Sequence, residues 1–300
     1  MRPVKIDGCK FSLPENWSEL TEENCRTIIR ATSKVKNKVQ VQSSLVLDML
    51  GLRVMPKRAR VLDESKRKLR KAVESDPEEK RLYYIRHGIT KVFLISSDDL
   101  ALLSSALDWL FTVPKDGTVT LKSRVITNFL PVVKIGKRAY YGPESLFDGI
   151  KYGQFEEAEM AWAEFSEGNL SKARDAMAAL YRLDCMPENE RIIEQKRKDF
   201  AKISNEDLRL FSLYYEGAKK AITDYYVDIF GVPATESENP FASAKPMSVQ
   251  INESFVNMTN LLSKLDPTKI AGIRECYLYD AFNTLVAMKK TSSNEPDIQC

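Results

Sequence analysis

Histidine is nearly absent: the 300 residues contain one, His87. That removes the imidazole pairs and clusters on which most acid–base sites and zinc centres are built. The five cysteines, Cys9, Cys25, Cys185, Cys276 and Cys300, are odd in number, and no two stand at CxxC spacing. Neither a disulfide framework nor a thiolate metal site is expected, and several of the thiols read as reduced core fillers. The glycines form no phosphate-cradling loop. No apolar run reaches the roughly 18 residues that cross a bilayer. The opening MRPVKIDGCKFSLPENW also lacks the apolar centre of a signal peptide. A protein made and kept inside a cell, with no membrane partner, is the expectation. Charge of one sign is lacking too. Lys+Arg 45 against Asp+Glu 42 leaves a net +3, too balanced to imply nucleic acid by bulk attraction.

What is there is ordinary globular material. An apolar fraction of 43% beside 29% charged residues, over this length, suffices for one large or two ordinary domains with a real core. Lys5–Leu13 alternates around Gly8 as a strand or hairpin arm. Ser18 or Thr21 can cap a helix to about Val35 with Cys25, Ile28 and Ile29 on one face, and a second helix over Val41–Leu50 stops at Gly51. Leu82–Ile95 reads as two short strands around Gly88, and Ser97 or Asp98 opens a helix through Phe111. TVTL, VITNFLPVVKI and RAYYG carry β-type content up to Gly142. Helices are expected near 153–167, 170–182, 190–200, 204–229, 248–264 and 267–290.

These readings predict a mainly α protein with small β elements in its N-terminal half (α+β) and a bundle-like, multi-helix C-terminal half. The divisions are 1–143, with a charged excursion at 56–80; a helical region at 144–234; a linker at 235–247; a C-terminal helical hairpin at 248–290; and a flexible tail at 291–300.

Each candidate for chemistry has a plainer reading beside it. Arg86-His87-Gly88 matches the RHG strand end of histidine phosphatases, which need a second histidine that this chain lacks; a turn between strands is the better account. Lys57, Arg58, Arg60, Lys66, Arg67, Lys68, Arg70 and Lys71 form a candidate electrostatic patch. No aromatics interleave for base stacking, so a solvated helix face is favoured over nucleic acid. Glu156, Glu157, Glu159, Glu164 and Glu167 crowd one helix. Carboxylate metal bundles add Glu-x-x-His pairs from other helices, and those are missing, so a solvated acidic face is expected. AEMAWAEFSEGNLSKARDAMAAL has the rhythm of one tetratricopeptide unit in a single copy, better explained as a helical hairpin in a larger core. Phe211, Tyr214, Tyr215, Tyr225, Tyr226 and Phe230 form an aromatic stripe that core packing explains in most part, and any exposed subset is a candidate partner-binding groove.

The order of segments carries more than any one of them. FSLPENWSELT opens the chain, LPVVKIGKRAYYGPESLFDGIKYGQFEEAEMAW and AALYR occupy the middle, and LFSLYYEGAKKAI and LLSKLDPTKIAGIRECYLYDAFNTLVAMKK follow. This order resembles proteins of tailed phages and prophages of Bacteroidetes-type bacteria, considered tail-assembly or tail-completion proteins. The resemblance implies a non-enzymatic morphogenesis protein without a cofactor, which binds another phage tail or virion protein through helical surfaces. It would act in the cytoplasm of the bacterial host or in the virion. It also implies that Trp17, Leu20, Tyr152, Phe155, Trp162 and Tyr181 are structural anchors. The rival readings are a connector or ring subunit that forms a homo-oligomer, and a nucleic-acid-associated protein using 57–71.

Overall fold

This computed structural model describes residues 1–6, 8–34, 37–54, 67–68, 71, 80–85, 88–112, 120–183, 190–230 and 245–293. The protein is mostly helical, with small antiparallel sheets mainly in the N-terminal half and a helical C-terminal half, as composition and periodicity predict. No helix of the described residues is long and apolar enough to cross a membrane. The chain divides into two compact units, Met1–Ser123 and Arg124–Cys300.

In the N-terminal unit, β1 (Arg2–Ile6) and β2 (Cys9–Leu13) form a hairpin in which Arg2 faces Leu13 and Ile6 faces Cys9. Gly8 sits in its turn at a φ of 79°, a value that suits glycine. Helix α1 (Glu22–Lys34) is capped by Thr21, whose Oγ1 accepts from the Asn24 N–H at 3.2 Å. Its face of Cys25, Ile28 and Ile29 is buried as the spacing predicts. Helix α2 (Lys38–Met49) starts earlier than expected, because the Asn37 side chain caps the Val39 and Gln40 amides. A three-stranded sheet follows, β3 (Leu52–Val54), β4 (Lys80–Ile85) and β5 (Gly88–Ser96), in the order β3-β4-β5. Helix α3 (Ser97–Ser105) opens with a reciprocal Ser96–Asp99 capping box.

The helix expected to run to Phe111 instead ends at Ser105, and a 3-10 turn spans Asp108–Leu110. The Trp109 indole donates to the Pro14 carbonyl at 3.2 Å and packs edge-on against Trp17, so tertiary anchoring bends the chain there. Of TVTL, the described residues form β7 (Thr120–Leu121), paired with β6 (Phe111–Thr112); 118 and 119 lie outside the described residues.

In the C-terminal unit, VITNFLP is not strand; β8 (Val132–Ile135) begins only after Pro131. Asn128 explains the irregular stretch. Its Oδ1 accepts the Leu130 N–H at 2.9 Å and its Nδ2 donates to the Pro143 carbonyl at 2.8 Å, substituting for a ladder. The remaining elements are β9 (Arg138–Tyr141), α4 (Tyr152–Ser166), α5 (Lys172–Leu180), β10 (Arg182–Leu183), α6 (Glu190–Phe200), α7 (Asn205–Tyr225), α8 (Val227–Phe230), α9 (Met247–Ser263), α10 (Ile270–Arg274) and α11 (Leu278–Ser293). The three strands pair in the order β10-β9-β8.

Helices α4 and α5 form the expected hairpin, turning at Gly168 with a φ of 104°. Buried Ala158, Ala161, Ala173, Ala176 and Ala178 let the two axes approach closely. The single helix expected over 267–290 is broken. A 3-10 turn at Pro267–Lys269 leads into α10, and α11 begins only at Leu278. No glycine or proline marks that second break. Lys151 and Tyr277 form an isolated antiparallel bridge; the Tyr152 N–H donates to the Cys276 carbonyl at 2.9 Å and the Leu278 N–H to the Ile150 carbonyl at 3.1 Å. The start of α4 thus takes up the backbone groups that a continuous helix would have used internally. The expected tail also starts later, since α11 continues to Ser293; residues 294–300 lie outside the described residues.

Candidate functional site

Most of the aromatic stripe is interior. Phe211, Tyr214 and Tyr215 are fully buried on α7, which corrects the expectation that they could meet a partner. The rings of Tyr214 and Tyr215 pack on Phe147, whose centroid lies 5.2 Å from Tyr214 and 5.3 Å from Tyr215, while Trp162 lies 4.4 Å from Tyr215 and Phe211 5.6 Å from it. Such pairs add roughly 0.5–1.5 kcal/mol each beyond area burial, so the stripe is a folding device. Tyr226 is buried as well, its hydroxyl donating to Asn283 Oδ1 at 2.9 Å. Phe230 is half-buried against Phe282. Tyr225 alone stands in water, 77% exposed.

Tyr225 and Tyr226 wall a groove of about 610 Å³, together with Leu146, Ala221, Ile222, Tyr279 and Asn283. The Tyr279 hydroxyl donates to the Leu146 carbonyl and fixes that wall. Leu146 and Phe147 have φ of 58° and 59°, a left-handed conformation uncommon for large side chains. Three bonds hold them there. The Leu146 N–H donates to the Ile126 carbonyl at 3.0 Å, the Phe147 N–H to the Tyr214 hydroxyl at 3.1 Å, and that hydroxyl in turn to the Glu144 carbonyl at 2.8 Å. Burial pushes the Tyr214 phenol far above its ordinary range, so it stays a neutral donor.

The acidic cluster on and just after α4 is a solvated face only in part: Glu157 and Glu167 are exposed, whereas Glu159 is not. Glu159 is buried, 4% exposed, and accepts from the Tyr215 hydroxyl at 2.7 Å and from Lys219. Glu156 and Glu157 hold Arg274 of α10 at 3.1 and 2.9 Å; Glu164 pairs with Lys172 at 3.2 Å; Glu167 receives the Ser248 N–H at 2.8 Å. Each carboxylate ties α4 to another element. Burial raises the Glu156 carboxyl above its ordinary value, against the pull of Arg274. Among the described residues, no three His, Cys, Asp or Glu side chains are grouped to hold a metal ion.

A second polar knot lies where α6 meets the sheet. Asp199, 3% exposed, receives the Tyr140 hydroxyl at 2.6 Å, Arg138 at 2.9 Å and Gln195 at 3.1 Å. Burial alone would raise its carboxyl, but the bonds from Tyr140, Gln195 and Arg138 outweigh it and hold the group below its ordinary value of 3.8. A depressed carboxyl contributes stability above its unfolded pKa, and that contribution is lost as pH falls through the folded value. Asp199→Asn is therefore expected to cost about 1.5–3 kcal/mol at neutral pH, the worth of hydrogen bonds to a charge. The difference from wild type should shrink below the ordinary carboxylate range. Urea titrations at neutral and acid pH check this; an equal deficit at both would refute the assignment.

Of the candidate basic patch, Arg67, Lys68 and Lys71 are exposed; Lys57, Arg58, Arg60, Lys66 and Arg70 lie outside the described residues, as does His87. The expected linker lies outside them too except for its last three positions, and Met247 already belongs to α9.

Trp17, Leu20, Tyr152, Phe155, Trp162 and Tyr181 are all buried. No protein-family model, curated protein or solved structure matches the chain.

Two features have no counterpart in the sequence reading. One is the apolar part of α9 left in water, Met247, Val249, Val256 and Leu261. The other is Leu265, which follows α9 and is 79% exposed. The seven-residue spacing of Val249 and Val256 was the available signal for the first.

Proposed function

We propose that this protein is a non-enzymatic morphogenesis factor of a tailed phage, and that it binds another tail protein through its C-terminal helices. The observation that carries this reading is the double-sided character of α9. Phe255, Met258 and Thr259 are buried, while Met247, Val249, Val256 and Leu261 stand in water. Val249 and Val256, seven residues apart, share one stripe of the helix. Apolar surface in water costs about 25 cal/mol per Å², and an amphipathic partner helix laid along the stripe recovers it. The order of the LPENWSELT, YGQF and ALYR segments supports the phage assignment.

Quantifying the chain by mass spectrometry in purified particles and in the lysate of producing cells tests the reading. The expected result is co-purification with one tail protein, abolished by Val249→Asp combined with Val256→Asp at unchanged melting temperature. Co-purification untouched by that double change would move the surface elsewhere. Recovery of the chain with no tail protein from either source would sink the proposal.

A second reading, a self-assembling connector or ring subunit, is favoured by Leu265 and the tyrosine groove.

A further inference from the structure

We infer that the protein associates with itself head to tail, the turn carrying Leu265 on one copy seating in the tyrosine groove of the next. This concerns different side chains from those of the α9 stripe, so the two proposals stand or fall separately.

Helix α9 closes with the Lys264 N–H on the Leu261 carbonyl at 3.1 Å and the Leu265 N–H on the Asn260 carbonyl at 3.0 Å. Lys264 and Leu265 take φ of 54° and 61°. Glycine usually occupies the first such position, and an apolar residue after it usually folds back onto its own helix. Here Lys264 stands where glycine is usual, and Leu265 does not fold back. It is the most exposed large apolar side chain among the described residues. The turn closes α9 through these two bonds, yet it holds the leucine side chain out in water.

The groove supplies the complement. Leu146, Ala221, Ile222, Tyr225, Tyr226 and Tyr279 line it. The hydroxyls of Tyr226 and Tyr279 are spent on Asn283 and on the Leu146 carbonyl, which leaves their rings as apolar wall. The four non-glycine residues at positive φ among the described residues are Leu146, in this wall, the buried Phe147 next to it, and Lys264 and Leu265, on the projecting turn. Charge agrees. Asp148 lines the groove, and exposed Glu144 and Asp280 adjoin lining residues in sequence. On the turn Lys264 is exposed, while Asp266 is already paired with Lys269 at 3.1 Å. A basic, leucine-tipped turn fits an acidic, tyrosine-walled groove.

The two surfaces are different patches of one chain, so the contact is heterologous and generates a ring or an open fibre. Sedimentation of the full chain over a concentration series reads this directly. Wild type should grow beyond a monomer as concentration rises. Leu265→Asp and Tyr225→Asp change exposed residues and should each leave a folded monomer, with self-affinity weakened roughly 30-fold or more, the loss expected of a central anchor. An equimolar mixture of the two variants should form a dimer and nothing larger, since each keeps one intact half. Lys264→Glu should weaken association, and Asp148→Lys should restore it. Wild type that stays monomeric throughout overturns the proposal, as does a mixture that stays monomeric or a Leu265→Asp variant that assembles like wild type. A monomeric wild type whose Tyr225→Asp variant loses a tail protein would make the groove a site for that partner instead.

Discussion

Gly217→Ala should lower the melting midpoint of the C-terminal unit by roughly 6–12 °C. On an exposed helix this change would stabilise, because alanine is the better helix former by about 1 kcal/mol. At position 217 the sign reverses. A Cβ there would overlap the backbone N, C and O of Val125, so α7 lies directly on the chain at its closest approach. The overlapping atoms are backbone and cannot rotate away as a side-chain tip could. Overpacking costs typically 1–3 kcal/mol; with backbone as the obstacle we take about 3 kcal/mol, at the top of that range. At roughly 2–4 °C per kcal/mol for a unit of this size, that gives the stated shift. Thermal unfolding followed by circular dichroism measures it. A midpoint equal to or above wild type would show that Val125 and α7 can part without loss.

Phe282→Ala should cost about 3–5 kcal/mol, the range for removing a buried phenylalanine ring. Phe282 is fully buried on α11. Its ring lies 5.1 Å from Tyr226, 5.4 Å from Phe230, 5.9 Å from Phe155 and 6.4 Å from Tyr152. One side chain thus joins α11 to α4, α8 and the end of α7. The loss should be regional: amide hydrogen exchange should accelerate first in α11 and α8, while the α4–α5 hairpin stays protected. Phe282→Leu keeps most of the volume and should recover over half of the deficit in urea denaturation. A uniform rise in exchange across the C-terminal unit, or equal costs for Ala and Leu, would argue against this ring as the joint.

The polar interior follows the same logic. Glu159, Asp199 and Asn128 would be costly where they lie if left unpaired, and each has its partners. Burial also lifts the phenols of Tyr140 and Tyr152 to about 12. Both remain protonated throughout the physiological range.

How far the fold was legible in the residues depended on how local each signal was. Thr21 before a face of Cys25, Ile28 and Ile29, Gly51 after α2, and Gly168-Asn169 between α4 and α5 are short-range instructions, and the structure obeys each. The aromatic stripe on α7 was visible, but its sidedness was not. Whether Tyr215 or Tyr225 meets water depends on which helices cover α7, and that is settled by residues far away in sequence. The carboxylates of α4 misled for the same reason, since Lys219 and Arg274 sit 60 and 117 positions beyond their partners Glu159 and Glu157. The break at 275–277 carries no glycine or proline, because its cause is the backbone on either side of Lys151, the Ile150 carbonyl and the Tyr152 N–H.

The sequence by itself determined that this chain is rich in amphipathic helices, where most of them begin and end, and that its single histidine and five cysteines make no evident reactive set. Tertiary structure decided which aromatic rings are core and which wall a groove, why Gly217 must be glycine, and that Leu265 is left in water. Capping and periodicity act within a few residues of chain, whereas burial is a property of the surfaces that meet, and those meet only when the whole unit has folded.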